Sequence, residues 1–214
     1  YRNKLLDFSI GSVGAPKVDK MLSEMCPDGI EYQKISDMTI FVTDYVASGS
    51  FASIKENVKY VSKEDGYARL IRTADYSSSY DEEKAIYVTE HAYNFLKKSN
   101  LTPGQIIICT IGSVGLTFKA PDLNIPMTLA PNAITLRTKY NDDFYFHYFK
   151  TDKFKRDLYA VYGNSAMPKF NKTQLRSILV PVPPLEIQNE IVRILNSFSE
   201  HTTLISQVLP EEIA

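Results

Sequence analysis

The chain has 214 residues, the length of about one domain, or of one domain with an appendage. Hydrophobic residues make up 44% and charged residues 23%, the profile of a soluble globular protein that needs no disulfide or metal staple to bury a core. The 24 basic and 25 acidic side chains nearly cancel to a net charge of −1, which excludes a histone-like basic coat and leaves room for a local basic face.

Residues 1–25 read as a helix end and a linker. Leu5, Leu6 and Phe8 give Tyr1 to Phe8 the pattern of a helix's last turns, and Ser9 to Pro16 is small and carries Gly and Pro. Val18 to Met25 is expected as a short helix, stopped by the Pro27-Asp28-Gly29 turn. Residues 26–182 read as a mixed α/β body. Thr39 to Val42 is a strand candidate, followed by a polar, small-residue stretch from Thr43 to Lys55. Tyr67 to Thr73 alternates apolar and basic residues, as a half-buried strand does. Ser77 to Asp81 is a loop by composition, Glu90 to Lys98 has helical spacing, and Asn100 to Gly104 turns into a buried strand at Gln105 to Ile111. Ala133 to Leu136 is a further strand. Phe144, Tyr145, Tyr148 and Phe149 then share one face of an aromatic helix, with Phe154 and Leu158 beyond.

From Pro183 the pattern changes. Pro183-Pro184, with Glu186 in the following turn, is a helix start, and residues 183–214 read as one amphipathic helix. Ile187, Ile191, Ile194, Phe198, Ile205 and Val208 follow steps of four and three, with His201 in one slot, a seam about three heptads long. Such a seam wants a partner helix; the alternative is that it packs back on its own domain. Pro210 interrupts it shortly before the sequence stops, so the helix reads as cut short.

Catalytic signatures are lacking. Gly112-Ser113-Val114-Gly115 follows a strand, but no helix pattern and no lysine complete a phosphate-binding loop, and a tight turn explains both glycines. The acids of Pro27-Asp28 and Glu82-Glu83-Lys84 sit in turn-like segments, which speaks against a nuclease centre. His91, His147 and His201 are scattered singly, so neither a metal site nor a triad is spelled out. Cys26 and Cys109 form no CxxC and read as two reduced thiols rather than a disulfide. The longest apolar run, Ile106 to Cys109, falls far short of the about 20 residues that span a bilayer, and the start lacks a signal-peptide layout. No catalytic residue, metal or cofactor is expected, and a cytoplasmic location is.

The binding signal lies between Tyr145 and Arg176. Lys150, Lys153, Lys155, Arg156, Lys169, Lys172 and Arg176 stand against Asp152 and Asp157, a local net of +5, interleaved with Phe and Tyr. That density suits a phosphate-contacting face, although a solvated helix face would look similar. The 14 tyrosines, with no tryptophan, likewise fit either a binding face or an ordinary core.

Gly163-Asn164-Ser165-Ala166-Met167-Pro168-Lys169-Phe170-Asn171, then Leu175, then Ile178 through Pro183-Pro184-Leu185-Glu186-Ile187-Gln188, resembles the block that closes a target recognition domain and opens a conserved helix in specificity (S) subunits of Type I restriction–modification systems. Leu101-Thr102-Pro103-Gly104-Gln105 into Ile106 to Gly115, Asn132-Ala133-Ile134, and Cys26 to Tyr32 resemble further pieces of that family. The resemblance implies an α/β (α+β mixed) recognition domain with a twisted mixed sheet and flanking helices, followed by a long coiled-coil-type helix. It implies sequence-specific reading of one half of a bipartite double-stranded DNA target without catalysis. The implied partners are methyltransferase (M) and restriction (R) subunits, to which S-adenosylmethionine and ATP belong. The family carries two recognition domains separated by two long helices. This chain has one domain and part of a helix, as expected of a half subunit, a fragment or a rearranged form, and two copies pairing through the seam would restore the pair. The rival reading is a protein–protein scaffold that uses the helix and binds no DNA.

Base edges and phosphates are best reached from loops on a rigid sheet. The expected DNA contacts are Lys55 in the small-residue stretch, Arg69 and Arg72 on the second strand, and Ser77, Ser78, Ser79 and Tyr80 in the loop after it. Ser113 at the glycine turn, Asn164, Ser165 and Lys169 complete the set.

Overall fold

Ile106-Ile107-Ile108-Cys109 is apolar at every position, and a strand can bury all four only if both faces of its sheet are covered. The computed structural model, which describes residues 1–8, 13–163 and 167–208 with side chains as far as Phe198, meets that demand with layers. In chain order the elements are α1 (Arg2–Leu5), α2 (Pro16–Met25), β1 (Tyr32–Lys34), α3 (Ile35–Met38) and β2 (Thr39–Asp44). A 3-10 turn at Tyr45–Ser48 leads into α4 (Phe51–Asn57), β3 (Tyr60–Val61), β4 (Ala68–Ile71), α5 (Thr73–Ser77), β5 (Tyr87–Val88) and α6 (Glu90–Phe95). There follow β6 (Asn100–Leu101), β7 (Ile106–Cys109), β8 (Thr117–Lys119), β9 (Met127–Leu129) and β10 (Ala133–Thr138). The last are α7 (Asp142–Tyr148), α8 (Asp152–Tyr162), α9 (Lys172–Ser177), β11 (Leu179–Pro181) and α10 (Leu185–Val208).

The central sheet has the order β2-β10-β7-β8 and is antiparallel throughout. Successive side chains point to opposite faces. Ile106, Ile108, Ile134 and Leu136 therefore face a helical layer, where they meet Phe144, Tyr148, Phe154 and Ile187. Ile107, Cys109 and Ala133 face the second sheet, ordered β3-β5-β4-β9-β6, and meet Ile71, Met127 and Leu129. The outer face of that second sheet, with Ala68, Leu70 and Val88, is closed by Ile54 of α4 and Ala92 of α6. A short antiparallel pair, β1 with β11, ties the start of the body to its end. The expected single mixed sheet is thus three sheets, and among the described residues the only parallel pairing is β4 with β9. The expected half-buried strand at Tyr67–Thr73 is instead the fully buried β4, because sheets or helices lie on both of its faces.

The two ends of the chain share the main core. Leu5, Leu6, Val13, Ala15 and Val18 pack in the same cluster as Ile187, Ile191, Val192 and Leu195 of α10. Lys17 on α2 pairs with Glu190 at 3.0 Å, and Arg193 holds the same carboxylate at 2.7 Å. The core therefore runs across the expected boundaries at 25/26 and 182/183; the middle of the expected linker, residues 9–12, lies outside the described residues. Gln188 is wholly buried and both ends of its amide are used: Nε2 donates to Pro183 O at 2.7 Å, and Oε1 accepts from Asn141 N at 3.1 Å.

This packing corrects the reading of the helical seam. Ile187 and Ile191 are fully buried against their own domain, and Ile194 is partly buried on the same core, so these three do not await a partner helix. The aromatic face of α7 and Val180 of β11 supply the apolar surface that takes them. Phe198 is 52% exposed, its ring 4.7 Å from that of Tyr1, and the side chains of Ile205 and Val208 lie outside the described residues. No helix among the described residues is long and apolar enough to cross a membrane. Both cysteines are free.

Two outcomes follow from the contact of α7 with α10. Replacing Ile191 by Ala should cost about 2–5 kcal/mol in urea unfolding while leaving the sedimentation coefficient of the folded protein unchanged. His147 is buried there, with Nε2 3.4 Å from Asn196 Oδ1 and Nδ1 without a partner among the described residues. Burial pushes its pKa down; the Asn196 contact opposes this, and Arg2, Lys119 and Lys150 add to it. The unfolded chain then binds the proton more readily, so this contribution to stability is present above the ordinary histidine value near 6.5 and is lost as pH falls toward the folded value. Urea midpoints at pH 7.5 and 5.5 should differ less in His147→Gln than in the parent.

Candidate nucleic-acid interface

β2 and β7 end, and β10 begins, at the same edge of the central sheet, because β10 runs antiparallel to both. The loops leaving that edge enclose a cleft of about 1020 Å³. Its floor includes Asp44, Tyr45, Thr110, Asn132 and Ile134. One wall is α4, which offers Phe51, Ile54, Lys55 and Val58, with Tyr60 beyond it. Ser50 caps that helix by accepting from Ser53 N at 3.2 Å, and Ile54 roots it in the outer core. Lys169, Phe170, Asn171, Lys172 and Gln174 line the cleft as well. Lys169 is placed by a bridge to Ile111 and by Phe170 N donating to Thr110 O at 3.3 Å. Asn171 and Gln174 cap α9 reciprocally, each at 2.9 Å, and Gln174 Nε2 ties α9 to Val161 O of α8 at 2.7 Å.

A second depression of about 510 Å³ adjoins the first across Tyr162 and is lined by Gly112 to Leu116, Lys155 and Pro168. Ser113 stands exposed in its turn. Gly112 and Gly115 both have φ of +79°, and a Cβ on Gly115 would meet Leu158 Cδ2 at 3.1 Å, so the turn requires glycine at that approach.

The cations around these depressions are not equivalent. Lys172 is held by Asp44 at 3.2 Å, Lys155 by Asp152 at 3.7 Å and Lys153 by Asp157 at 2.9 Å. Lys55 and Lys169 are exposed, with no carboxylate at ion-pair distance among the described residues. Burial raises the pKa of the Tyr45 hydroxyl, and a hydrogen bond with Tyr60 raises it further, so it stays protonated on the floor.

The other expected contacts sit elsewhere. Tyr80 donates its hydroxyl to Lys119 O at 3.2 Å, beside Ile106 and so at the far end of β7 from Ile111, roughly 15 Å along the strand. Burial lifts its pKa to about 12. Arg69, only 1% exposed, lies beneath this loop: Nη2 donates to Tyr80 O at 2.9 Å and Asp81 O at 3.2 Å, and Nη1 to Glu82 at 2.8 Å. Arg72 donates to the fully buried Asp75 at 2.8 and 2.9 Å and to Lys84 O at 2.6 Å. Glu82 also takes Lys63 at 3.0 Å and the Tyr87 hydroxyl. Arg69, Arg72 and Tyr80 therefore brace the loop: most of their polar atoms bond within it or to Lys119 O, while Arg69 Nε has no partner among the described residues. Ser79 and Tyr80 are held at φ of +53° and +60°, unusual for residues with a side chain. Ser77 and Ser79 face outward, Ser78 is half-buried and bonds Asp75 O at 3.2 Å, and Asn164 and Ser165 lie outside the described residues.

Lys55, Ser113 and Lys169 are thus brought to adjoining depressions, while the 77–80 loop forms a separate group. Phe51, Tyr60, Asn132 and Lys172 belong to the cleft and were not among the expected contacts. Asn132 had a signal in the Asn132-Ala133-Ile134 piece, and its φ of +68° is one that Asn tolerates better than most. Among the described residues no group of three His, Cys, Asp or Glu side chains is placed to hold a metal ion.

Comparison with known proteins decides the family. The Type I restriction modification DNA specificity domain matches residues 44–214. The chain belongs to that family. In fold it is similar to the HsdS subunit from Thermoanaerobacter tengcongensis, with a TM-score of 0.59 at 16% identity over 92% of this chain and 46% of that one. It is similar also to the S subunit of a Type-I restriction-modification system from M. genitalium, with a TM-score of 0.55 at 14% identity over 97% and 48%. A chain from a structure of type I R-M complex assembly gives a TM-score of 0.60 at 15% identity over 89% and 45%. This specificity-domain chain spans slightly under half the length of those solved relatives.

The two kinds of arginine and lysine should separate on substitution. Arg69→Ala removes the buried guanidinium that holds Glu82 and the carbonyls of Tyr80 and Asp81, and should lower stability in urea unfolding by about 2–3 kcal/mol. Lys169→Ala should stay within about 0.5 kcal/mol of the parent.

Proposed function

We propose that this chain is a non-catalytic DNA-reading unit that recognises one half of a bipartite duplex target. The observation that carries the reading is the coincidence of a DNA specificity family with a sheet-edge cleft whose lining includes Lys55 and Lys169, both exposed and neither at ion-pair distance from a carboxylate among the described residues. In this reading residues 26–182 form the recognition unit. Lys55 and Lys169 position phosphates, while Ser113 and the polar groups of the cleft floor meet base edges. Ser77 and Ser79 offer a second set of hydroxyls from the braced loop, that of Ser77 as an acceptor while it donates to Thr73 O at 3.1 Å. Asn164 and Ser165 enter on sequence grounds alone. Methylation and cleavage belong to M and R subunits, with S-adenosylmethionine and ATP, and a soluble cytoplasmic setting fits that assembly. The helix from residue 183 docks the M subunit by its outward face. Pairing of two copies through its portion beyond Phe198 would place two half-sites on one duplex.

The test is selection from a randomised duplex pool by the protein alone and with its M subunit. Enrichment of a short motif, single or as spaced inverted pairs, is expected. M capture without any sequence enrichment would instead identify a docking scaffold. On the enriched duplex, Lys169→Ala should weaken binding to selected and unrelated sequences alike and reduce the slope of log K against log salt by about 1. An unchanged slope removes Lys169 from the interface.

A further inference from the structure

Phe51 is 82% exposed, more than any other large apolar side chain described, and no other ring packs on it among the described residues. A phenylalanine left in water forgoes much of the stabilisation that burial would give. Its mount is nevertheless firm. It opens α4, whose Ser50 cap and buried Ile54 fix the helix against the outer core. Phe51 and Lys55 are four residues apart and so share one face of α4, and both line the cleft. Lys169, Val46 and Ile111, all exposed, line the same cleft and add a cation and apolar surface to it.

An exposed ring that shares a cleft with lysines free of carboxylate partners among the described residues has the makings of a nucleic-acid contact. The cations take phosphates, and an aromatic face stacks on a base or enters a base step. A protein-docking hot spot would carry its charges at the rim and fewer beside its central aromatic. Charge complementarity therefore favours duplex DNA as the occupant.

We propose that Phe51 is a wedge that unstacks one base step of the duplex lying across this cleft, with Val46 and Ile111 giving the loosened base an apolar shelf. The inference rests on the DNA-reading function proposed above. It makes part of the specificity indirect: steps that unstack at little cost, such as TA and CA, are favoured opposite Phe51 without a hydrogen bond to either base.

The experiment places 2-aminopurine at successive positions of the duplex enriched by the full chain and reads its fluorescence on binding. A several-fold rise confined to one step is expected, lost in Phe51→Ala and kept in Phe51→Trp, with the salt slope of binding unchanged. Because the side chain is exposed, the urea midpoint of Phe51→Ala should match the parent, which separates lost wedging from lost folding. Selective binding with no rise at any position overturns the wedge while leaving DNA reading in place, as does a rise that survives in Phe51→Ala. Loss of M-subunit capture in Phe51→Ala with the fluorescence intact also overturns it and assigns the ring to a protein interface. Failure to enrich any duplex overturns the DNA reading itself, and the wedge with it.

Discussion

The pairing of β10 with β2 on one side and β7 on the other is the constraint on which the site depends. Ile134 opposes Asp44 and Ala133 opposes Cys109, so one edge of the sheet carries the exits of β2 and β7 and the entrance of β10. The residues at the cleft floor and the roots of its walls leave from that edge. The register is held by burial on both faces. A slip of one residue would exchange Ile134 and Leu136, which fill the helical core, with Ala133 and Thr135, which face the second sheet. The aromatic layer of α7 and α8 and the apolar side of α10 are what make that exchange costly, and in this sense the helices far from the cleft determine its shape.

Charge is arranged by the same folding. The stretch from Lys150 to Arg176 carries the densest basic charge in the sequence, yet Lys153, Lys155 and Lys172 are matched by aspartates and Lys150 lies over the Phe146 ring at 4.3 Å. The exposed, unmatched lysines of the cleft come from segments more than a hundred positions apart, 55 and 169. A chain of net charge −1 can thus present a cationic cleft without a basic run, and its field is local and readily screened.

Much of the architecture was legible because it rests on local signals. The apolar run at Ile106 to Cys109, the strands at Thr39 and Ala133, the aromatic helix and the helix start at Pro184 all fall where pattern places them. The helix α4 was not legible inside the polar stretch from Thr43 to Lys55, because one serine cap and one buried isoleucine leave little periodicity in seven residues. β5, β8 and β9 are two or three residues long and exist through pairing, which no local window records. At the site, Lys55, Ser113 and Lys169 were reachable from residue type and loop position. The bracing by Arg69, Arg72 and Tyr80 was not legible: a basic or aromatic residue near a loop looks the same in sequence whether it points at solvent or holds the loop from beneath. The first half of the α10 seam, Ile187, Ile191 and Ile194, is covered by its own domain; a heptad pattern states that a stripe is apolar but not whose surface covers it.

The braced loop at 77–84 and the cleft solve one problem by opposite means. In the loop, the side chains that hold the conformation, Arg69, Arg72, Asp75 and Glu82, bond one another and the backbone beneath the outward Ser77 and Ser79. In the cleft, the backbone is fixed by the sheet edge, the Ile111–Lys169 bridge and two helix caps, which leaves Phe51, Lys55 and Lys169 without a structural duty. Both arrangements separate the residues that maintain the fold from those that face outward. A surface built this way can change what it touches at small cost in stability, which is the property a recognition domain requires when the fold must persist and the sequence it reads must not be fixed by the fold.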